Sequence, residues 1–334
     1  MAVAEAIKPH VAVLLSPGMG HVIPLFELAQ RLVMHHGVRV SFLVIATTES
    51  SAAQDQLWEY HAYSFFTSSA TLFAFSLYLP TLDREVEGDL VDLPEPIKIP
   101  GSSSVRPEDL LEELKRRSSG EYGLCLLHIS RLPLAAGSGV TLKADQFIEL
   151  AWGLDLSQQH FIWVVKKPTN ASAAATFFTM GSDVNDPEAY LPEGFLNRTQ
   201  GKGLVLKSWA PQVQVLSHVS TGGFLSHCGW NSSLKSIAHG IPIIAWPLYA
   251  EQRINATMLV EEVGEAVKPV VEPGNMVAGR EEIARVVRLV MEDDHGKVLR
   301  RRVKELQESA AKALDCGGSS YESITLSSCR RMES

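Results

Sequence analysis

The stretch "GGFLSHCGWNSSLKSIAHGIPIIAWPLYAEQ", Gly222 to Gln252, decides the fold. "GGFLSH" is a short apolar run behind two glycines, which reads as a buried strand. A helix is expected to begin near Asn231 and to end before Gly240, a residue suited to a left-handed C-cap. "IPIIAWP" then reads as a second buried strand. Strand, turn, helix, strand is the repeating unit of an α/β protein with a parallel sheet. Open sheets of this kind bind ligands at the carboxyl ends of their strands. Asn231, Ser232 and Ser233 can cap the helix, and its free N–H groups form an anion site. His227, just before the turn, can donate to the same anion. Leu234, Ile237 and Ala238 share a face that should be core. Lys235 lies three and four residues from Ser232 and Asn231, so it shares the ligand face. "WPLYAEQ" brings Glu251 and Gln252 to the same sheet edge. An adjacent acid and amide suit sugar hydroxyls, because together they accept and donate hydrogen bonds. Equally, Glu251 is a carboxylate complementing a helix N-terminus. Trp209, before "APQ", offers a flat face for a base to stack on, or is a core tryptophan.

Outward from that stretch the same grammar recurs. "HVAVLLS" (His10 to Ser16) is a buried-strand run and "PGMGH" a tight turn. "VIPLFELAQRLVMHHG" places Leu25, Leu28, Ala29 and Leu32 at helical spacing and stops at Gly37. "VRVSFLVIAT" is a second strand, completing a βαβ unit. A dinucleotide fingerprint needs a third glycine after this turn; Ile23 stands there and Pro24 follows, which argues against NAD. His21 sits at a strand's carboxyl end and a helix N-terminus. That position disfavours the imidazolium and keeps the ring neutral, as a general base requires. A histidine satisfied by local backbone is the equal alternative. Beyond Thr48 the pattern is less regular. "YSFFTSSATLFAFSLYLPTL" is apolar and helix-length, and "RPEDLLEELKRRSSGEYGLCLLHISRL" reads as helices. "KADQFIELAWGLDLS" is amphipathic and "HFIWVVK" a strand, and residues 168–188 look like a surface loop. From Gly203 the alternation of strand and helix is strong. The tail reads as two helices, about Arg280–Glu292 and Lys297–Leu314, and a last short one.

A chain of 334 residues suits two domains of ~150 residues. With 46% hydrophobic and 20% charged residues it has the balance of a soluble globular protein. The net charge of -8 argues against nucleic acid or an anionic membrane as partner. Cys125, Cys228, Cys316 and Cys329 form no C-x-x-C pair, so free thiols are expected rather than a disulfide framework or a zinc site. No secretory signal and no bilayer-length apolar run are present, which makes the cytoplasm the expected compartment.

The run "WAPQVQVLSHVSTGGFLSHCGWNSSLKSIAHGIPIIAWPLYAEQ", Trp209 to Gln252, resembles the signature box of plant family-1 UDP-glycosyltransferases. It most resembles the hydroquinone or arbutin glucosyltransferase branch, as do "PGMGHVIPLFELAQRL", "SLYLPTLDREVEGDLVDLPEPIKIPG", "YLPEGFLNRTQGKGLV" and "GREEIARVVRLVMEDD". The resemblance implies an α/β, GT-B-like fold: two facing Rossmann-like domains with parallel sheets. Residues 1–136 would form an incomplete acceptor-side domain and residues 137–315 the UDP-sugar domain. Residues 316–334 would form a helix returning toward the first domain. It implies that Trp209 stacks on uracil, with Ala210 and Gln212 nearby. His227, Trp230, Asn231 and Ser232 would surround the diphosphate, joined by Ser138 of "GSG". Glu251 and Gln252 would hold glucose hydroxyls, and Tyr249 and Ala250 would lie near the acceptor. His21 would take the acceptor proton while that oxygen attacks the anomeric carbon, with inversion. UDP-glucose is then a co-substrate, with no cofactor and no metal. The partner is a small phenol of plant secondary, phenylpropanoid metabolism, and the protein a monomer.

Three features depart from the family pattern. Lys235 replaces a glutamate that accepts hydrogen bonds from both ribose hydroxyls, and lysine has donors only. The aspartate that pairs with the family's histidine has no match; Asp55 is a weak stand-in. "LHISRLPLAAGSGVTL" joins a first-domain helix directly to a second-domain loop, so the intervening strands and the inter-domain linker are expected to be missing. Two function classes therefore stand: an active UDP-glucose-dependent O-glucosyltransferase, and a non-catalytic relative that binds nucleotide weakly or not at all.

Overall fold

The computed structural model describes residues 10–14, 19–43, 68–119, 121–123, 142–166, 168, 187–207, 210–271 and 277–329. Strands β1 (His10–Leu14) and β2 (Arg39–Leu43) run parallel, with His10 opposite Arg39. Helix α1 (Met19–His36) crosses between them, buries Leu25 and Ala29, and ends at Gly37 with φ 64°. The positive φ is why a glycine stands there.

Helix α2 (Ala70–Glu85) starts at Ser69, whose Oγ accepts from Leu72 N at 3.3 Å. Its buried Leu72, Phe75, Leu79 and Leu82 follow helical spacing and meet Leu90, Ile97, Leu110 and Leu114 in one cluster. The run "RPEDLLEELKRRSSGEYGLCLLHISRL", read as helices, forms short helical pieces where it is described, and residues 124–132 lie outside the described residues. Among the described residues this stretch holds a 3₁₀ turn, Pro107–Asp109, and the four-residue α3 (Glu112–Lys115). Arg117 explains the break: its Nη2 donates to Asp83 O at 2.5 Å and its backbone N to Asp89 Oδ1 at 2.8 Å. The chain is thereby turned back onto the end of α2.

The remainder is an α/β alternation. Helix α4 (Ala144–Ser157) leads to β3 (Phe161–Val165), α5 (Phe195–Arg198) and β4 (Gly203–Lys207). Then come α6 (Gln212–Ser217), β5 (Phe224–Ser226), α7 (Trp230–His239) and β6 (Ile243–Ala245). Helix α8 (Gln252–Met258) runs into a π-helical turn, Leu259–Val263, before β7 (Ala266–Val267). Helices α9 (Arg280–Met291), α10 (Asp294–Leu314) and α11 (Ser319–Cys329) close the chain. Helix α11 meets α1, with the Tyr321 and His36 rings 5.0 Å apart.

Among the described residues every strand-to-strand ladder is parallel, and the isolated bridge Ile97–Val105 is antiparallel. β3 pairs with β4, Phe161 opposite Gly203, and β5, β6 and β7 form a second sheet, with Ile243 between Phe224 and Ala266. Both sheets lie under one helical layer. Leu150 and Leu154 of α4 and Ile283, Val286 and Val290 of α9 share a cluster with Trp163 of β3, Leu225 of β5 and Ile244 of β6. Among the described residues no strand joins β3 to β5. Ile162 and Leu204, directly paired on β3 and β4, are each 51% exposed. No described helix is long and apolar enough to cross a membrane.

Candidate functional site

The turn from β5 into α7 is the centre of the candidate site. Gly229, not Asn231 or a serine, is the N-cap of α7, and it makes no side-chain cap bond. A Cβ at 229 would fall 2.5 Å from His227 Nε2, so only glycine leaves room for the imidazole beside the helix start. Asn231 and Ser232 stand in the first turn; the Ser232 N–H donates to Gly229 O at 2.9 Å, so an anion would meet the N–H groups of Trp230 and Asn231 ahead of it. Trp230 is the first helical residue. Burial and the nearby Lys166 ammonium pull the His227 pKa down to about 4. At neutral pH His227 is therefore an uncharged donor, not a cation.

The expected core face of α7 is corrected. Leu234 is 46% exposed and Ala238 is also exposed, whereas Ser233 and Ser236 are fully buried. Both hydroxyls are satisfied: Ser233 Oγ donates to Gly229 O at 3.3 Å and Ser236 Oγ to Ile241 O at 2.6 Å. Two small self-satisfied serines let α7 seat closely, at no cost in orphaned polar groups.

Lys235 reaches from α7 to the start of α6, where its Nζ donates to Gln212 Oε1 at 3.2 Å. Gln212 is the first residue of α6, and Ala210 lies two residues before it, partly buried. At the end of β6, Ala250 takes φ 53°, and Cys228 at the end of β5 takes φ 62°. Two non-glycine residues with left-handed backbones bracket the strand ends, a strain usually held at ligand sites. The Cys228 thiol points into the core, and burial pushes its pKa up to about 12.

Glu251 is buried and its Oε2 has no hydrogen-bond partner among the described residues; burial holds the carboxyl above its ordinary pKa. An unsatisfied buried acceptor is costly, and a ligand hydroxyl would relieve it. Gln252 Oε1 accepts from Leu248 N at 2.9 Å and Tyr249 N at 3.2 Å. Its carbonyl thus braces the loop that carries Tyr249 and Ala250.

The structure thus brings together Ala210, Gln212, His227, Trp230, Asn231, Ser232, Lys235, Tyr249, Ala250, Glu251 and Gln252 on neighbouring strand ends and helix starts. Ser138 and Trp209 lie outside the described residues. His21 is placed by its backbone alone, in the first turn of α1. Two residues were missed from the sequence. Asn255, fully buried, donates from Nδ2 to Cys228 O at 3.0 Å and so fixes the strained turn. Lys166 follows β3 and acts on His227. Its signal was legible, since it is the charge at the carboxyl end of "FIWVV". Asn255 carried no signal of this kind. Among the described residues no group of three His, Cys, Asp or Glu is placed to hold a metal.

With this geometry in view, the comparisons are specific. Residues 101–303 match the family described as UDP-glucoronosyl and UDP-glucosyl transferase. Anthocyanidin 3-O-glucosyltransferase 5 of Manihot esculenta is 34% identical over 456 residues, covering 94% of this chain and 93% of that protein. Hydroquinone glucosyltransferase of Rauvolfia serpentina is 32% identical over 461 residues, covering 96% and 97%. These spans exceed the 334 residues of the chain, so each relative carries long internal stretches with no counterpart here. The crystal structure of TcCGT1 in complex with UDP superposes with a TM-score of 0.84 at 34% identity, over 98% of this chain and 100% of that one. Phytolacca americana UGT2, complexed with UDP-2fluoro-glucose and pterostilbene, gives 0.81 at 28% identity, over 98% and 100%.

Proposed function

The chain belongs to the UDP-glycosyltransferase family with a GT-B fold, and from that premise we propose that it transfers glucose from UDP-glucose to the hydroxyl of a small phenol. The observation that carries the proposal is the pairing of two unlike ends in one row of strand termini. One end offers donors: the first turn of α7 and the neutral His227. The other offers Glu251 Oε2, a buried acceptor atom without a partner among the described residues. A diphosphate suits the first and sugar hydroxyls suit the second. In this reading Trp209 and Ala210 face uracil, with Gln212 beside them, and Ser138 joins Trp230, Asn231 and Ser232 at the diphosphate. Gln252 keeps its amide N–H groups for glucose while its carbonyl holds the loop. Tyr249 and Ala250 border the acceptor, and residues 1–136 supply the rest of its pocket.

The reaction needs one proton removed. His21 takes it from the phenol; the phenolic oxygen forms a bond to the anomeric carbon as the bond to UDP breaks, with inversion. A paired carboxylate would stabilise the imidazolium, and losing such a partner lowers turnover by about 10⁴ in a serine protease. The sequence has no clear match for the aspartate that would pair with His21. Phenols, with pKa about 10, tolerate that loss better than alcohols. The expected result is slow glucosylation of acidic phenols, little or none of alkyl alcohols, and no product in His21→Ala. Product formation from UDP-glucose across a phenol series at rising pH measures this. Rapid turnover of an aliphatic alcohol, or full activity in His21→Ala, would sink the assignment.

A second reading, a relative that binds without turnover, is favoured by one contact. Lys235 stands where the family has glutamate, and it is bonded to Gln212. UDP raising the melting temperature with no product from any phenol would favour that reading.

A further inference from the structure

Lys235 stands where the nucleotide's own sugar must pass. In the reading above, the base lies by Ala210 at the start of α6 and the diphosphate on the first turn of α7. The ribose joins them, so it crosses the gap that Lys235 Nζ and Gln212 Oε1 close at 3.2 Å. An ammonium offers donors only, and Lys235 takes one of the two lone pairs of Gln212 Oε1. A ribose diol can accept from Lys235, but its two O–H groups find a single remaining acceptor in this pair where a carboxylate would offer several. Further along the same row of strand ends His227 donates, and Lys166 adds a cation beside it. A phosphate ester on the ribose replaces an O–H with three acceptor oxygens and up to two negative charges. Dinucleotide sites make the same exchange: an acid holds a free ribose hydroxyl, and a basic residue accommodates a ribose phosphate.

The geometry points to a pocket that selects a nucleotide phosphorylated on its ribose over the unphosphorylated one, with Lys235 as the selecting residue. This rests on the UDP-sugar reading of the site. The ligand class is a uridine nucleotide carrying a 2′- or 3′-phosphate.

Calorimetry on the full chain tests this with 5′-UMP, UDP, uridine 2′,5′-bisphosphate and uridine 3′,5′-bisphosphate. Unliganded melting curves of each variant establish that it folds. One bisphosphate should bind at least about ten-fold tighter than 5′-UMP, the worth of one charge-assisted contact. Lys235→Met should abolish that ratio and Lys235→Glu should invert it. Lys166→Met should weaken both nucleotides together and leave the ratio standing, which separates a contact at the ribose from general attraction of charge. Equal affinities in the natural chain, or a ratio that survives Lys235→Met, overturns the inference alone. If neither UDP nor either bisphosphate binds the folded chain, the UDP-sugar reading falls and this inference with it.

Discussion

Glu265 is the residue whose chemistry is least at ease with its place. It is fully buried between the π-helical turn and β7, and neither carboxyl oxygen has a hydrogen-bond partner among the described residues. Burial raises its pKa from an ordinary 4.5 to about 8, and Arg302 only partly opposes this. Over that interval the folded protein keeps a proton that the unfolded chain has released. Its contribution to stability is therefore level below the unfolded value, falls as pH rises toward 8, and is level again above it. The full span is of the order of 5 kcal/mol, taking about 1.4 kcal/mol per pKa unit. Glu265→Gln keeps the shape and cannot ionise. Its melting temperature should match the natural chain near pH 5 and exceed it by several degrees near pH 9. A difference that does not change with pH would show that Glu265 has found a partner in solution.

At the scale of elements, helix α4 packs closely against α9. A Cβ added to Gly153 would come within 2.5 Å of Ile283 Cβ and Cγ2 and 3.1 Å of Arg280 O. In a free helix alanine is favoured over glycine by about 1 kcal/mol. Here Ile283 is fully buried and has nowhere to go, so overpacking of about 1–3 kcal/mol should win. Gly153→Ala is expected to lower the melting temperature by a few degrees, and Ile283→Val should give part of that back in the double variant. A stabilised Gly153→Ala would mean that the helices slide apart freely. The sequence made α4 legible by its periodicity but not this glycine, which reads locally as a weak helix residue. α7 teaches the converse. Its ends and its polar face were readable, since Gly240 and the strand before it are local signals. Its core face was not, because Leu234 and Ala238 look more apolar than Ser233 and Ser236. Helix packing chose small residues with self-satisfied hydroxyls instead.

For the whole molecule, the strand–helix order and the parallel sheets were legible because buried strands and their turns are punctuated locally. The row of strand-end residues followed from the same order. The brace from Asn255 to Cys228 was hidden, because it joins residues 27 apart through a left-handed backbone. Also hidden was the part played by α8. Its Ile254 lies in the cluster built from residues 72–122, its Ala256 in the cluster beneath β5 and β6, and its Asn255 holds the site turn. Thr257 Oγ1 donates to Asp109 Oδ2 at 2.7 Å. The Arg106–Glu261 pair nearby is 41% and 48% exposed and contributes little, so the shared apolar residues carry the join. One helix thus belongs to two cores at once. The two halves should therefore depend on one another's company. Residues 1–141 and 142–334, made as separate polypeptides in the same cell, should find one another and purify as a pair through a tag on either. The C-terminal piece made alone, with Ile254 uncovered, should be recovered mainly as aggregate. The protein would then be a natural split reporter, its signal conditional on the meeting of two fragments.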